Sequence, residues 1–194
     1  MDVTPNEARQ LLGKSDAITA LMRNHSMYLR IGPTLMLWGV IWLACFPLTA
    51  GFPHASGWIW LVGDIIGFAG SALSMRRSAA AIRCSSSTNK FRGRVLWFWL
   101  ALLAYGCFWM FLLAPAGPSR AIVFIVTLIM FAYVAIGLLT QVRFMLILGL
   151  GVTLLAVAGF LLFASQPSIL NLWMGITGGV TLLGTGAFIT HRSR

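Results

Sequence analysis

The chain has 194 residues, 59% hydrophobic and 9% charged, with a formal net charge of +10 and a mean hydropathy of +0.87. A soluble domain runs nearer half apolar and a quarter charged, so four acidic residues and few other polar side chains cannot cover a water-facing globule. The composition excludes an ordinary soluble enzyme, a disordered chain and a disulfide scaffold, and points to an integral membrane protein.

Residues 1–30 are polar and patterned. Thr4-Pro5-Asn6-Glu7 is a helix start, with Thr4 as cap, Pro5 at the first helical position and Glu7 completing a capping box. Ala8, Leu11, Leu12, Ile18, Leu21 and Met22 then recur at helical spacing, while Arg9, Lys14, Asp16 and Arg23 point elsewhere. We expect a short cytoplasmic amphipathic helix. It lies on the inner leaflet, docks on a partner, or packs on the cytoplasmic ends of the chain's own helices. The segment lacks the basic stretch followed at once by an apolar core that marks a secretory signal, so the first apolar run is expected to drive insertion and to stay.

A hydrocarbon core about 30 Å thick takes around 20 apolar residues in a helix. Six such runs follow, at roughly 33–52, 57–75, 95–115, 121–140, 144–164 and 169–190. Within lipid every backbone group needs an internal partner, which leaves a helix or a closed barrel. No alternating period of two is present, so the barrel is excluded. Pro53 to Ser56, Ala116 to Arg120 and Ser165 to Ser168 make short outer turns, each with a proline. The expected architecture is all-α and polytopic, with 31–194 as one domain of six transmembrane helices in three hairpins.

Lys and Arg set the orientation. Arg9, Lys14, Arg23, Arg30, Arg76, Arg77, Arg83, Lys90, Arg92, Arg94, Arg143, Arg192 and Arg194 fall on one side of the runs, and Arg120 alone on the other. By the positive-inside rule both termini and the 76–94 loop are cytoplasmic, and this distribution argues against a nucleic-acid partner. Trp58 and Trp60, and Trp97 and Trp99, suit aromatic belts at the two interfaces. The basic loop 76–94, with Arg76, Arg77, Arg83, Lys90, Arg92 and Arg94, suits anionic lipid headgroups; it serves equally as a plain topology signal. Cys45 and Cys107 lie in apolar runs and Cys84 in the basic loop, an odd count without zinc or disulfide spacing.

Asp64 is the polar residue at membrane depth. It lies about two residues, roughly 3 Å, from the centre of its run, where a carboxylate costs about 2.5–3.5 kcal/mol on insertion scales. It should therefore face the bundle interior or a wet cavity. No Lys, Arg or His sits at similar depth in another run. Two readings stand. Asp64 is an ion or proton site in a transport path, or it is a neutral acid hydrogen-bonded across a tight interface to one of Thr127, Tyr133, Tyr105, Thr153, Asn171 or Thr177. Gly63, Gly67, Gly70 and Ser71 beside it, and Gly175, Gly178 and Gly179 in the last run, are expected to let helices approach closely. Asn171 and Gln141 read as turn or capping residues.

Motifs for chemistry are missing. His25, His54 and His191 lie at or beyond helix ends, where they cannot hold a transmembrane haem. No H-E-x-x-H, aspartate pair, intramembrane lysine or glycine-rich phosphate loop occurs. The expectation is a non-enzymatic protein with no motif-bound cofactor. Eight Trp and thirteen Phe could still line an apolar pocket for a pigment or quinone.

The stretch from Arg143 to Arg194, with glycine-rich helices around Asn171-Leu172-Trp173 and a basic end, resembles the C-terminal hairpin of small uncharacterised bacterial membrane proteins. In size and three-hairpin layout the chain is similar to acid-resistance membrane proteins of the HdeD type. That resemblance implies a small bacterial inner-membrane protein and carries over no functional residue. Two functions are compatible with the sequence. One is an accessory, regulatory or interaction subunit that self-associates, or binds other membrane proteins, through Gly-rich helix faces. The other is a small transporter or channel for protons, cations or a small solute using Asp64.

Overall fold

The computed structural model describes residues 31–81, 87–113, 117–140 and 142–192. The N-terminal segment 1–30, Arg83, Cys84 and Gln141 lie outside the described residues. Six helices follow one another: α1 (Ile31–Gly51), α2 (Ser56–Ala81), α3 (Ser87–Leu113), α4 (Pro118–Thr140), α5 (Arg143–Phe163) and α6 (Pro167–Arg192). A 3-10 turn at Pro53–Ala55 joins α1 to α2. No strand occurs among the described residues.

The helix starts follow from local chemistry. Pro53, Pro118 and Pro167 each open their element, where a missing N–H costs nothing and a fixed φ suits the first turn. Gly117 takes φ +90° just before Pro118, a left-handed conformation that reverses the chain into α4. The apolar runs of α1, α4, α5 and α6 become helices within about three residues of their expected bounds, while α2 runs on past its expected end and α3 starts before its expected beginning. Five of them, α1, α2, α4, α5 and α6, contain stretches long and apolar enough to cross a membrane.

Two differences stand out. The basic segment 76–94, expected as a loop, is helical up to Ala81 and again from Ser87. Ala79, Ala80, Ala81 and the arginines are good helix formers, and a helix already nucleated in the apolar run gains one hydrogen bond for each residue added. The second concerns α3, whose apolar part is only Trp97–Leu112, about 24 Å of helix.

α1 is the central strut. Gly63, Gly67 and Gly70 of α2 lie against Cys45, Trp38 and Leu37 of α1. On the other side, Gly179 and Gly186 of α6 meet Gly39 and Gly32 of α1, backbone to backbone. A Cβ on Gly39 would sit 2.9 Å from the Gly179 carbonyl, and one on Gly186 2.7 Å from the Gly32 carbonyl. At 100° per residue, positions 37, 38, 41 and 45 lie opposite positions 32, 36, 39 and 43, so α2 and α6 flank α1.

The third side of α1 carries Leu35, Trp42 and Phe46. They join Val126 and Met130 of α4, Leu148, Val152 and Ala156 of α5, and Leu170, Met174, Leu182 and Ile189 of α6 in one buried cluster. Trp42 lies flat on Gly178, where a Cβ would meet the indole at 2.8 Å. Between α4 and α5, Gly137 and Gly149 let the backbones close to a similar distance. Among the described residues α2 makes no close backbone approach to α3, α4, α5 or α6, and of α2, α4, α5 and α6 it is α4 that α3 approaches. The fold is thus a packed core of α1, α4, α5 and α6 with α2 and α3 attached at its flanks.

Membrane helices associate by close van der Waals contact, because lipid is as apolar as the helix surface. Gly179→Leu would drive a side chain into Leu43 and the Gly39 carbonyl, at 2.6 and 3.0 Å from Cβ. It should cost about 1–3 kcal/mol or more of stability, read as a lower melting temperature in detergent. Gly184→Ala, with nothing within 4 Å of its Cβ, should leave the transition in place.

Candidate functional site

Asp64 lies on α2, partly buried, one residue from the glycine that contacts Cys45. The local arrangement is built from the neighbouring turns. Trp60 and Phe68, one turn to either side of Asp64, sit on its stripe of the helix. The Trp60 ring meets Phe46 of α1 edge to face at 4.8 Å, and Phe68 meets Trp38 at 5.5 Å. Trp38 is itself fixed, because its Nε1–H donates to Ser71 Oγ at 3.2 Å and its ring lies over Gly67. Cys45 Sγ faces Gly63, donates to the Ile59 carbonyl at 3.8 Å and is within electrostatic reach of Asp64.

The carboxyl is thereby placed at the seam between α1 and α2. It does not reach the centre of the bundle, and none of the six partners expected for it comes to it. Thr127, Thr153 and Thr177 donate to carbonyls of their own helices, Val123, Gly149 and Trp173, at 2.7–2.8 Å. This i−4 bonding is the usual recourse of a hydroxyl in a helix without a polar neighbour. Tyr133 sits on α4, its ring 6.2 Å from Trp99, and Tyr105 on α3, its ring 6.0 Å from Trp109. No described residue hydrogen-bonds or ion-pairs with Asp64, and no group of three metal-ligating side chains assembles among the described residues.

The glycines singled out in the sequence are placed at helix contacts inside the chain. Gly63, Gly67 and Gly70 face Cys45, Trp38 and Leu37, Ser71 receives the Trp38 bond, and Gly175, Gly178 and Gly179 face α1. Their partners Gly32 and Gly39, and the Gly137–Gly149 pair of α4 and α5, escaped the sequence reading. The spacing of Gly32 and Gly39, seven residues on one helix face, was the available signal. Of the basic residues of 76–94, Arg83 lies outside the described residues, and for Arg76, Arg77, Lys90, Arg92 and Arg94 only the backbone is described.

Asn171 differs from its expected role. Helix α6 begins four residues earlier, at Pro167, so Asn171 is a full turn inside the helix and cannot cap it. It is 6% exposed, and its Oδ1 has no hydrogen-bond partner among the described residues. Gly175, one turn further on the same face, packs on Phe46 and Pro47 of α1. Pro47 in turn offers no N–H to the carbonyl four residues before it.

A buried acceptor left without a donor destabilises a fold by about 1–3 kcal/mol. Asn171→Leu keeps the shape and removes the acceptor, so its melting temperature in detergent should rise; a clear fall would mean that Oδ1 is bonded in the membrane. No protein-family model, characterised relative or solved structure matches the chain.

Proposed function

We propose that the chain is a non-enzymatic, six-span protein of a bacterial inner membrane, with both termini cytoplasmic, that works as an interaction subunit. The span count rests on α3 joining the five longer apolar helices. Its Trp97–Leu112 stretch is extended by Val95, Leu96 and Leu113 to nearly the length a bilayer needs. The orientation rests on the thirteen-to-one distribution of Lys and Arg.

The observation that carries the functional reading is the attachment of α2. Among the described residues its close helix contacts are with α1, and its far side exposes Trp58, Val62, Ile65, Ile66 and Leu73, each half or more open. Gly63, Gly67 and Gly70 of α2 and Gly175, Gly178, Gly179 and Gly186 of α6 are occupied within the chain, so the apolar ridge of the singly attached α2 is the surface offered to a partner, either a second copy or another membrane subunit. The alternative, self-contained transport through Asp64, finds less support. The core of α1, α4, α5 and α6 is filled by large apolar side chains, and Asp64 lies outside it.

The test is mild extraction of the full-length protein from native membranes, followed by native mass spectrometry. The proposal expects a complex of fixed stoichiometry that Ile66→Trp weakens. A protein that leaves the membrane only as a bare monomer would contradict it.

A further inference from the structure

We infer that the α1–α2 seam is a binding site for a lipophilic organic cation, with Asp64 as counter-ion and the flanking rings as its walls. This goes beyond the interaction role and does not depend on it.

The inference begins with charge. Asp64 is a carboxyl near mid-membrane without a described polar partner, and the apolar runs contain no Lys, Arg or His at its depth. No Lys, Arg or His in the spanning helices lies at its depth to pair with it as an anion, so the carboxyl is protonated when alone and ionised when a cation from outside the chain sits beside it. Inorganic cations need several oxygen ligands, and no group of three metal-ligating side chains assembles here among the described residues. An organic cation is different. It carries its own apolar cover and gains from aromatic faces, each worth about 0.5–2 kcal/mol according to desolvation.

The rings are in place. Phe46 and Trp60 form one pair and Trp38 and Phe68 the other, one turn above and one turn below the carboxyl on α2. The Trp38–Ser71 hydrogen bond holds one wall in a fixed rotamer, so little ordering is needed on binding. Access is lateral. α2 has no close approach to α3 or α4 among the described residues, and Leu61 and Phe68, beside Asp64 on its free flank, are about half exposed. A cation dissolved in the leaflet can reach the carboxyl without crossing the packed core.

The probe is tetraphenylphosphonium, titrated by equilibrium dialysis against the purified full-length protein in detergent. Saturable binding at one site per chain is expected. Asp64→Asn should weaken it about thirtyfold or more, and Trp60→Leu about fivefold. Neutral triphenylphosphine oxide should compete poorly. No saturable binding by the native protein, binding by Asp64→Asn within twofold of it, or equal competition by the neutral compound would each overturn the inference. Should Asp64→Asn lose its thermal transition, the Trp60→Leu affinity and the neutral competitor decide alone.

Discussion

The approach of α1 to α6 through paired glycines is the contact on which the rest depends. Gly32 against Gly186 and Gly39 against Gly179 bring backbone to backbone, and dispersion gains of this kind are what hold helices together in a solvent of acyl chains. With α6 so close on one side, Trp42 and Phe46 are directed into the cluster shared with α4 and α5. The opposite side of α1 is left to receive α2. A bulkier residue at either crossing would push the helices apart and empty the space that Trp42 fills against Gly178.

From that arrangement follows the unusual position of Asp64. A carboxyl in a membrane protein is normally sheltered by the bundle centre or by a water-filled cavity. Here the helix that carries it is a flanking one, tied to the bundle by a glycine face against Trp38, Ile41 and Cys45. The same phase that buries Gly63 and Gly67 sets Asp64 at the border of the contact, next to aromatic rings and open on one flank to lipid. The threonine hydroxyls are satisfied on their own helices, and the Trp38 and Trp173 N–H groups donate across helix contacts. Among the described residues the side-chain amide oxygen of Asn171 is the buried exception.

Much of the architecture was legible in the sequence, because membrane helices must satisfy their backbones internally and so announce themselves as long apolar runs. The runs, the turn prolines and the glycine-rich character of α2 and α6 all have visible counterparts. Less legible was anything set by which helix lies beside which. A hydrogen bond from Asp64 to a hydroxyl or amide on α3, α4, α5 or α6 fits the sequence, yet the flank position of α2 removes it from all four. Asn171 was read as a cap, because a run that begins near residue 169 hides the extra turn started by Pro167. The charge of the basic stretch 76–94 suggests a loop, yet the repulsion of like charges in a helix is worth only about 0.2–0.5 kcal/mol per pair, and the two helices run into it from either side.

The central claim is that α2 is clamped to α1 through Gly63, which fixes where Asp64 stands. A Cβ on Gly63 would lie 2.7 Å from Cys45 Sγ, close to the spacing across a disulfide. Oxidising Gly63→Cys in intact membranes, with Cys84 and Cys107 replaced by serine, is therefore the most direct measurement. Formation of an intramolecular Cys45 disulfide, read as protection of both thiols from alkylation until reduction, is the result this account predicts. Two free thiols after oxidation, in protein that is otherwise folded, would contradict it.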